Sequence, residues 1–219
     1  MRLVIPPGVL KPPSDAFMLA QELRREPLEE GLSVLDLCAG SGILAIVAAQ
    51  RGARQVTAVD VSRRAVLATR LNARLNGVSV RALRGDLFSA VPGQRFDVIV
   101  SNPPYLPSAS DELPRRGAER AWEAGPDGRL FLDRICAGAH EHLLPAGVLL
   151  LVHSSLCDEQ QTIEMLSRRG FEARIAARRS GPLGPRMQAR APILRARGLL
   201  SDEEVEDMVV VRASRISGA

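Results

Sequence analysis

Val34-Leu35-Asp36-Leu37-Cys38-Ala39-Gly40-Ser41-Gly42 passes from a short apolar run into a turn of small residues, and its reading decides the fold. An apolar run of this length, entered from Gly31-Leu32, reads as a strand buried on both faces. Ile43 to Arg51, rich in Ala, Ile and Val, continues as a helix that Gly52 stops. Strand, tight turn and helix in this order form the first unit of an open parallel sheet. Ligands bind such sheets beyond the carboxyl ends of the strands, where Gly40 and Gly42 let the backbone approach closely.

Outward from this unit the alternation persists. Gln55 to Asp60 is a second strand, and Ser62 caps a helix running to about Asn76 before Gly77. Ser79 to Arg84 and Phe96 to Ser101 are the third and fourth strands, followed by a long polar loop from Asn102 to about Pro126. A helix from Asp127 to about Leu144, a strand Gly147 to His153, a helix Asp158 to Arg169 and a strand Phe171 to Ala177 come next. Residues 180–200 hold Gly, Pro and Arg around a short helix, and Met208 to Ala213 is the seventh strand. Toward the N-terminus, residues 1–14 are Pro-rich and extended. Ser14-Asp15 then offers an N-cap to a helix carrying Phe17, Leu19, Ala20 and Leu23. The expected fold is α/β: a seven-stranded, mostly parallel Rossmann-like sheet with helices on both faces, in one domain over 1–219 with a basic insertion near 178–200.

Composition narrows the function. Hydrophobic content of 46% and charged content of 25% suit a globular domain with a real core. Aromatics at 3% are too few for a single-stranded nucleic-acid binder built on stacking platforms. A formal charge of +4 favours an anionic partner such as RNA, a ribosome-bound factor or an acidic protein. Cys38, Cys136 and Cys157 lie far apart without a CxxC, which predicts free thiols in a reducing compartment and no metal site. Residues 1–10 are broken by Pro6-Pro7 and do not read as a signal peptide, and no apolar run approaches a membrane span. A cytoplasmic protein is expected.

Three acids end three successive strands. Asp36 precedes the turn, where a carboxylate can face a cationic amino-acid moiety. Asp60 follows the second strand, where an acid accepts both hydrogens of a ribose diol. Asp86, in Gly85-Asp86-Leu87, can accept from an adenine amino group. Each alone reads as a solvated strand end or helix cap; together at one end of the sheet they describe an adenosyl ligand with a charged tail. The turn lacks a full GxGxxG and no P-loop Lys follows, so phosphates are not its target. A nicotinamide dehydrogenase competes for the glycine turn until the next motif is read.

That motif is Asn102-Pro103-Pro104-Tyr105, after the fourth strand. A planar amide or aryl amine is a poor nucleophile, its lone pair being delocalised. The Asn102 side-chain carbonyl and the Pro103 backbone carbonyl are two acceptors that fix its N–H groups and stabilise the charge growing there during attack on a sulfonium methyl. The prolines hold the carbonyls rigid, and Tyr105 can stack on the planar group. The alternative is a strand ending in a Pro-rich turn.

These residues resemble the class I S-adenosylmethionine (SAM)-dependent methyltransferases. Within them the chain is similar to the HemK-type glutamine methyltransferases of translation termination factors, in the short eukaryotic and archaeal branch. The resemblance rests on Pro13-Ser14-Asp15-Ala16-Phe17, Leu35 to Gly42, Asn102 to Tyr105 and Ala121-Trp122-Glu123-Ala124-Gly125-Pro126-Asp127-Gly128-Arg129. It implies that SAM meets Asp15, Ala16, Asp36, Cys38, Gly40, Gly42, Asp60, Asp86, Leu87 and Asn102, while Asn102 to Tyr105 receive the Gln of a Gly-Gly-Gln loop in a release factor. Two departures matter: the branch has Thr where this chain has Ala16, and prefers Gly at Cys38. It implies a small zinc-binding partner protein, and the extra N-terminal helical domain of the long form is expected to be missing. Residues 178–200 are an insertion relative to the branch.

Other residues carry less. Cys38 reads as a small buried thiol, and His140, His142 and His153 as helix-end and surface residues. Trp122 either packs its loop or shapes the acceptor pocket; the Arg-rich 178–200 is either a solvated face or a contact for ribosomal RNA or a release factor. Besides a protein-glutamine methyltransferase, two readings stay open: an N-methyltransferase of an exocyclic base amine, and a non-catalytic SAM-binding subunit. Flipping a base from duplex DNA usually needs an added recognition domain, and no segment is long enough to supply one.

Overall fold

The strands are β1 (Ser33–Leu37), β2 (Gln55–Asp60), β3 (Arg81–Arg84), β4 (Phe96–Ser101), β5 (Leu143–Ser154), β6 (Phe171–Pro182) and β7 (Val205–Arg215). In the computed structural model, which describes residues 1–28, 31–108, 118–201 and 205–216, they form one sheet of order β3-β2-β1-β4-β5-β7-β6. β1 to β5 run parallel, and β7 inserts antiparallel between β5 and β6. The chain moves outward from β1 through β2 to β3, then returns to β4 on the other side of β1. Strand order therefore reverses between β1 and β4, and the crevice at their carboxyl ends is where an open α/β sheet binds its ligand.

Alternate strand residues feed two cores. Val34, Val98, Val100 and Leu150 meet α1 (Ser14–Leu23) and α2 (Ile43–Gln50) on one face. Leu35, Leu37, Ile99 and Leu149 meet α4 (Leu130–His142) on the other, beside α5 (Glu159–Ser167). α2 is buried from Ile43 to Ala48, so its Ala and Ile content answers to burial, not to amphipathic patterning. α3 (Arg63–Leu75) is capped by the Ser62 hydroxyl, which accepts from the Ala65 N–H at 3.4 Å.

The sequence reading is displaced in four places. α4 begins at Leu130 rather than Asp127, because Gly128 takes a φ of +76° that a helix forbids. α1 starts at Ser14, and neither Ser14 nor Asp15 caps it. β6 continues past Ala177 to Pro182, pairing with β7 as far as Val205, so the supposed insertion begins as strand. Arg178-Arg179-Ser180 have no apolar alternation to announce it; backbone pairing to β7 holds them there. His153 is fully buried on β5 rather than at the surface. Its Nδ1 faces the Ser154 carbonyl oxygen at 2.9 Å, and burial pushes the imidazole down to about 4, so it is neutral. The centre of the long polar loop, 109–117, lies outside the described residues. Among those described, no helix is long and apolar enough to cross a membrane, and no His, Cys, Asp or Glu cluster suits a metal ion.

Candidate active site

A cleft of about 870 Å³ opens over the carboxyl ends of β1, β2 and β3, floored by Cys38 to Ser41 and walled by Asp60, Asp86, Leu87, Phe131 and Asn102. α3 holds the turn in place. The Thr69 hydroxyl donates to the Gly40 carbonyl at 3.2 Å, and the buried Asn72 amide donates to the Ser41 carbonyl at 2.9 Å. Thr69 reaches in only because residue 42 has no side chain: a Cβ there would lie 2.7 Å from Thr69 Cγ2. Gly42 thus packs the turn and does not line the cleft. Asn72 also accepts from the Val4 N–H at 2.7 Å and donates to the Val4 carbonyl at 3.0 Å. It ties the N-terminal strand of chain, whose Gly8 to Leu10 border the cleft, to the same turn. Polar residues on the buried Ala65-Ala68-Ala73 face of α3 were the available signal for Thr69 and Asn72.

The three acids separate. Asp60 lines the cleft, accepting from the Gly40 N–H at 2.9 Å through Oδ2 and from the Ser62 N–H at 2.8 Å through Oδ1. Asp86 lines the cleft at the far end, about half exposed and paired with Arg134 at 2.7 Å. Asp36 is not in the cleft. It is fully buried, and Oδ2 accepts from the Ala45 N–H at 3.0 Å, one of the orphan donors in the first turn of α2. Burial pushes its carboxyl up to about 8. Oδ1 has no partner among the described residues.

Cys38, half-buried in the floor, has φ +59°, and Leu87 has φ +49°. Two non-glycine residues in the left-handed region at one cleft mark backbone strain held by the surrounding packing. Burial, then the Asp60 and Asp36 charges, push the Cys38 thiol upward, so it is no nucleophile.

Asn102 and Pro104 also border a second pocket, of about 510 Å³, with Pro103 and Tyr105. Asp15 arranges this junction. It is 2% exposed, and its Oδ2 accepts from the Tyr105 hydroxyl at 2.5 Å and the Asn102 amide nitrogen at 3.3 Å. With its N–H committed to Asp15, the Asn102 amide turns its carbonyl oxygen away from Asp15. Burial and the adjacent Asp15 charge push the Tyr105 hydroxyl well above the ordinary phenol range, so it stays a donor. Asp15 lines the acceptor pocket and not the larger cleft, whereas Ala16 lines the larger cleft.

Ala121 to Arg129 supports the acceptor run. The Leu106 N–H donates to the Trp122 carbonyl at 2.8 Å, the Ala124 N–H to the Leu106 carbonyl at 3.0 Å and the Ser108 N–H to the Gly125 carbonyl at 2.7 Å. Arg129, 3% exposed, donates to the Cys157 and Asp158 carbonyls and pairs with Asp133 at 2.8 Å. The connection between β6 and β7 covers the outside. α6 (Pro185–Gln188) and α7 (Ala191–Ala196) bury Met187 and Leu194 with Leu183 and Leu106. Two of its arginines are ties to the acceptor loop. Arg190 donates to the Pro107 carbonyl at 2.6 Å and pairs with Glu123 at 2.5 Å, and Arg197 donates to the Ser108 carbonyl at 2.6 Å. Arg178 on β6 pairs with Glu159 and Asp207. Arg178, Arg179 and Arg186 are exposed, so the segment is part solvated face and part tie to the acceptor loop.

The larger cleft fits SAM: Gly40 leaves room for backbone approach, Asp60 offers oxygens for a diol, and Leu87 and Phe131 give apolar cover. Sheet order and cleft together define a class I methyltransferase dependent on SAM. Residues 14–114 match the Methyltransferase small domain family. A protein named as an N5-glutamine methyltransferase in Methanocaldococcus jannaschii is 36% identical over 182 residues, covering 83% of this chain and 90% of that one. The release factor glutamine methyltransferase of Geobacter sulfurreducens is 37% identical over 77% of this chain, which spans 61% of that longer protein. Among solved structures, the E. cuniculi Mtq2–Trm112 complex, described as responsible for methylation of the eRF1 termination factor, superposes with a TM-score of 0.67. The match is 22% identical and covers 95% of this chain and 99% of that one, a likeness of fold. The chain belongs to the protein N5-glutamine methyltransferase family.

Proposed function

We propose that this protein methylates the side-chain amide nitrogen of the Gln in a Gly-Gly-Gln loop of a class I release factor. The observation that supports the reading is the Asp15–Asn102 hydrogen bond at the junction of the two pockets: the Asn102 nitrogen is engaged, so its Oδ1 is the atom left to accept, with Pro103 lining the same pocket. A glutamine amide has two N–H groups for these two acceptors. Held there, its nitrogen carries rising positive charge as the N–C bond forms, and both oxygens face that charge. The amide loses a proton afterwards, so no strong base is needed; positioning is the main contribution. SAM supplies the electrophilic methyl. Cys38, Gly40, Asp60, Asp86 and Leu87 are the residues proposed to hold it, with Asp60 on the ribose.

Asp60→Ala is expected to weaken SAM binding by about 1.5–3 kcal/mol, the cost of hydrogen bonds to a charged group. Unchanged affinity by calorimetry in the folded variant would remove Asp60 from the ribose site.

The test of substrate is transfer of labelled methyl from SAM into purified release factors, with ribosomal and total RNA alongside. Replacing the acceptor Gln by Glu keeps its shape and removes the nucleophilic nitrogen, so labelling should stop. Robust labelling of RNA with none of release factor would overturn the protein substrate while leaving the N-methylation chemistry. We also infer a small partner protein of the Trm112 kind. α3, beside the edge strand β3, exposes Leu67, Leu71 and Leu75 at 61%, 42% and 43%, an apolar stripe at i, i+4 spacing among the described residues. The transfer assay is therefore run with and without such a partner.

A further inference from the structure

The acceptor pocket, of about 510 Å³, has room for more than one glutamine side chain, enough for main chain on either side of the acceptor. A peptide brings both carbonyl oxygens and N–H groups, and each needs a partner in the pocket. The Asn102 amide oxygen and the Pro103 carbonyl stand there for its N–H groups, the Asp15 and Glu206 carboxylates being already bonded within the protein. Donors for its carbonyl oxygens are few. Pro103, Pro104, Pro182 and Pro185 have no N–H. The Gly184 N–H is given to Glu206 at 3.3 Å, the Tyr105 hydroxyl to Asp15, the Ser180 hydroxyl to Asp207 and one N–H of the Arg179 guanidinium to Ser14 at 2.8 Å, which leaves the rest of that guanidinium and the Trp122 indole N–H beside Arg186.

Arg186 offers a whole guanidinium fork. It lies on α6 at the pocket rim, exposed, with its guanidinium carbon 4.2 Å from the centroid of the Trp122 ring. Among the described residues no acceptor bonds its guanidinium. A guanidinium stacked on an indole keeps its in-plane N–H fork free and is already ordered, so little entropy is lost when the fork is used. The same stack occupies one face of Trp122, the indole a nucleobase would otherwise use as a platform.

We propose that Arg186 is a substrate-reading residue, donating from its Trp122-stacked guanidinium to a main-chain carbonyl of the polypeptide that carries the acceptor glutamine. This rests on the protein substrate given above. Trp122 is the positioning residue for that fork, and the segment between β6 and β7 acts as a specificity wall whose Arg190 and Arg197 anchor it to the acceptor loop.

The experiment is steady-state methyl transfer from SAM to purified release factor by wild type, Arg186→Ala and Arg186→Lys, with SAM affinity and thermal midpoint measured for each. Both variants should raise the KM for release factor about tenfold, Lys offering charge without the planar fork. kcat, SAM affinity and the thermal midpoint should hold, since the side chain is exposed and makes no hydrogen bond among the described residues. A KM within twofold of wild type in Arg186→Ala overturns the inference. So does a rise in KM that Lys fully rescues, or one accompanied by a lowered thermal midpoint. Wild type that transfers nothing to release factor but labels RNA is a different failure, one that removes the protein substrate itself and the role of Arg186 with it.

Discussion

Asn102→Ala is expected to lower turnover by on the order of a hundredfold or more while leaving SAM affinity nearly unchanged. The asymmetry follows from what each pocket loses. On the SAM side the turn from Cys38 to Ser41 is held by Thr69 and Asn72, and Asp60 by Gly40 and Ser62, none of which depends on residue 102. On the acceptor side the variant removes one of two oxygens facing the nitrogen as its charge develops. An electrostatic partner of this kind, acting mainly in the transition state, is worth roughly 2.7–4 kcal/mol. Asp15 keeps its bond to the Tyr105 hydroxyl, so the rest of the acceptor run stays in register and the loss appears in kcat more than in KM. Single-turnover kinetics at saturating release factor separates the chemical step from product release. Near-normal turnover there would show that Asn102 does not hold the acceptor.

The parallel sheet was legible because its signals are local: apolar runs of strand length, Gly and Ser at the right ends, and an acid or Asn closing each strand. The acceptor run was legible for the same reason, being four consecutive residues. What escaped was set by distant contacts. Asp36 lies inside β1, level with Ala58, and bonds a first-turn N–H of α2, whereas Asp60 stands two residues further on at the end of β2 and lines the cleft. Asp15 was expected beside SAM and instead sits against Tyr105, 90 positions further along the chain. The arginines beyond β6 look alike in sequence and divide only in three dimensions. Arg190 and Arg197 meet carbonyls of the acceptor loop, and Arg186 meets an indole. Gly128 carries more than its place in a turn suggests.

Gly128→Ala should disable the enzyme through the acceptor run without touching the SAM cleft. Two penalties combine. At φ +76° a side chain costs roughly 1–2 kcal/mol. A Cβ at this position would stand 2.3 Å from the Tyr105 carbonyl oxygen and 2.9 Å from Cys157 Sγ. The first contact is to backbone, which no rotamer change relieves, and overpacking of this sort costs about 1–3 kcal/mol more. Relief requires Tyr105 to withdraw, carrying Pro103 and Asn102 with it. A misplacement of about 1 Å at a reacting centre costs on the order of a hundredfold in rate. Gly125→Ala is the matched control. It shares the positive φ, at +84°, but its Cβ would meet only Leu130 Cβ at an ordinary 3.7 Å. It should lose stability of roughly 1–2 kcal/mol and keep most of its turnover below its unfolding midpoint. Turnover in folded Gly128→Ala equal to that of Gly125→Ala would mean that the close approach to Tyr105 does not set the acceptor geometry.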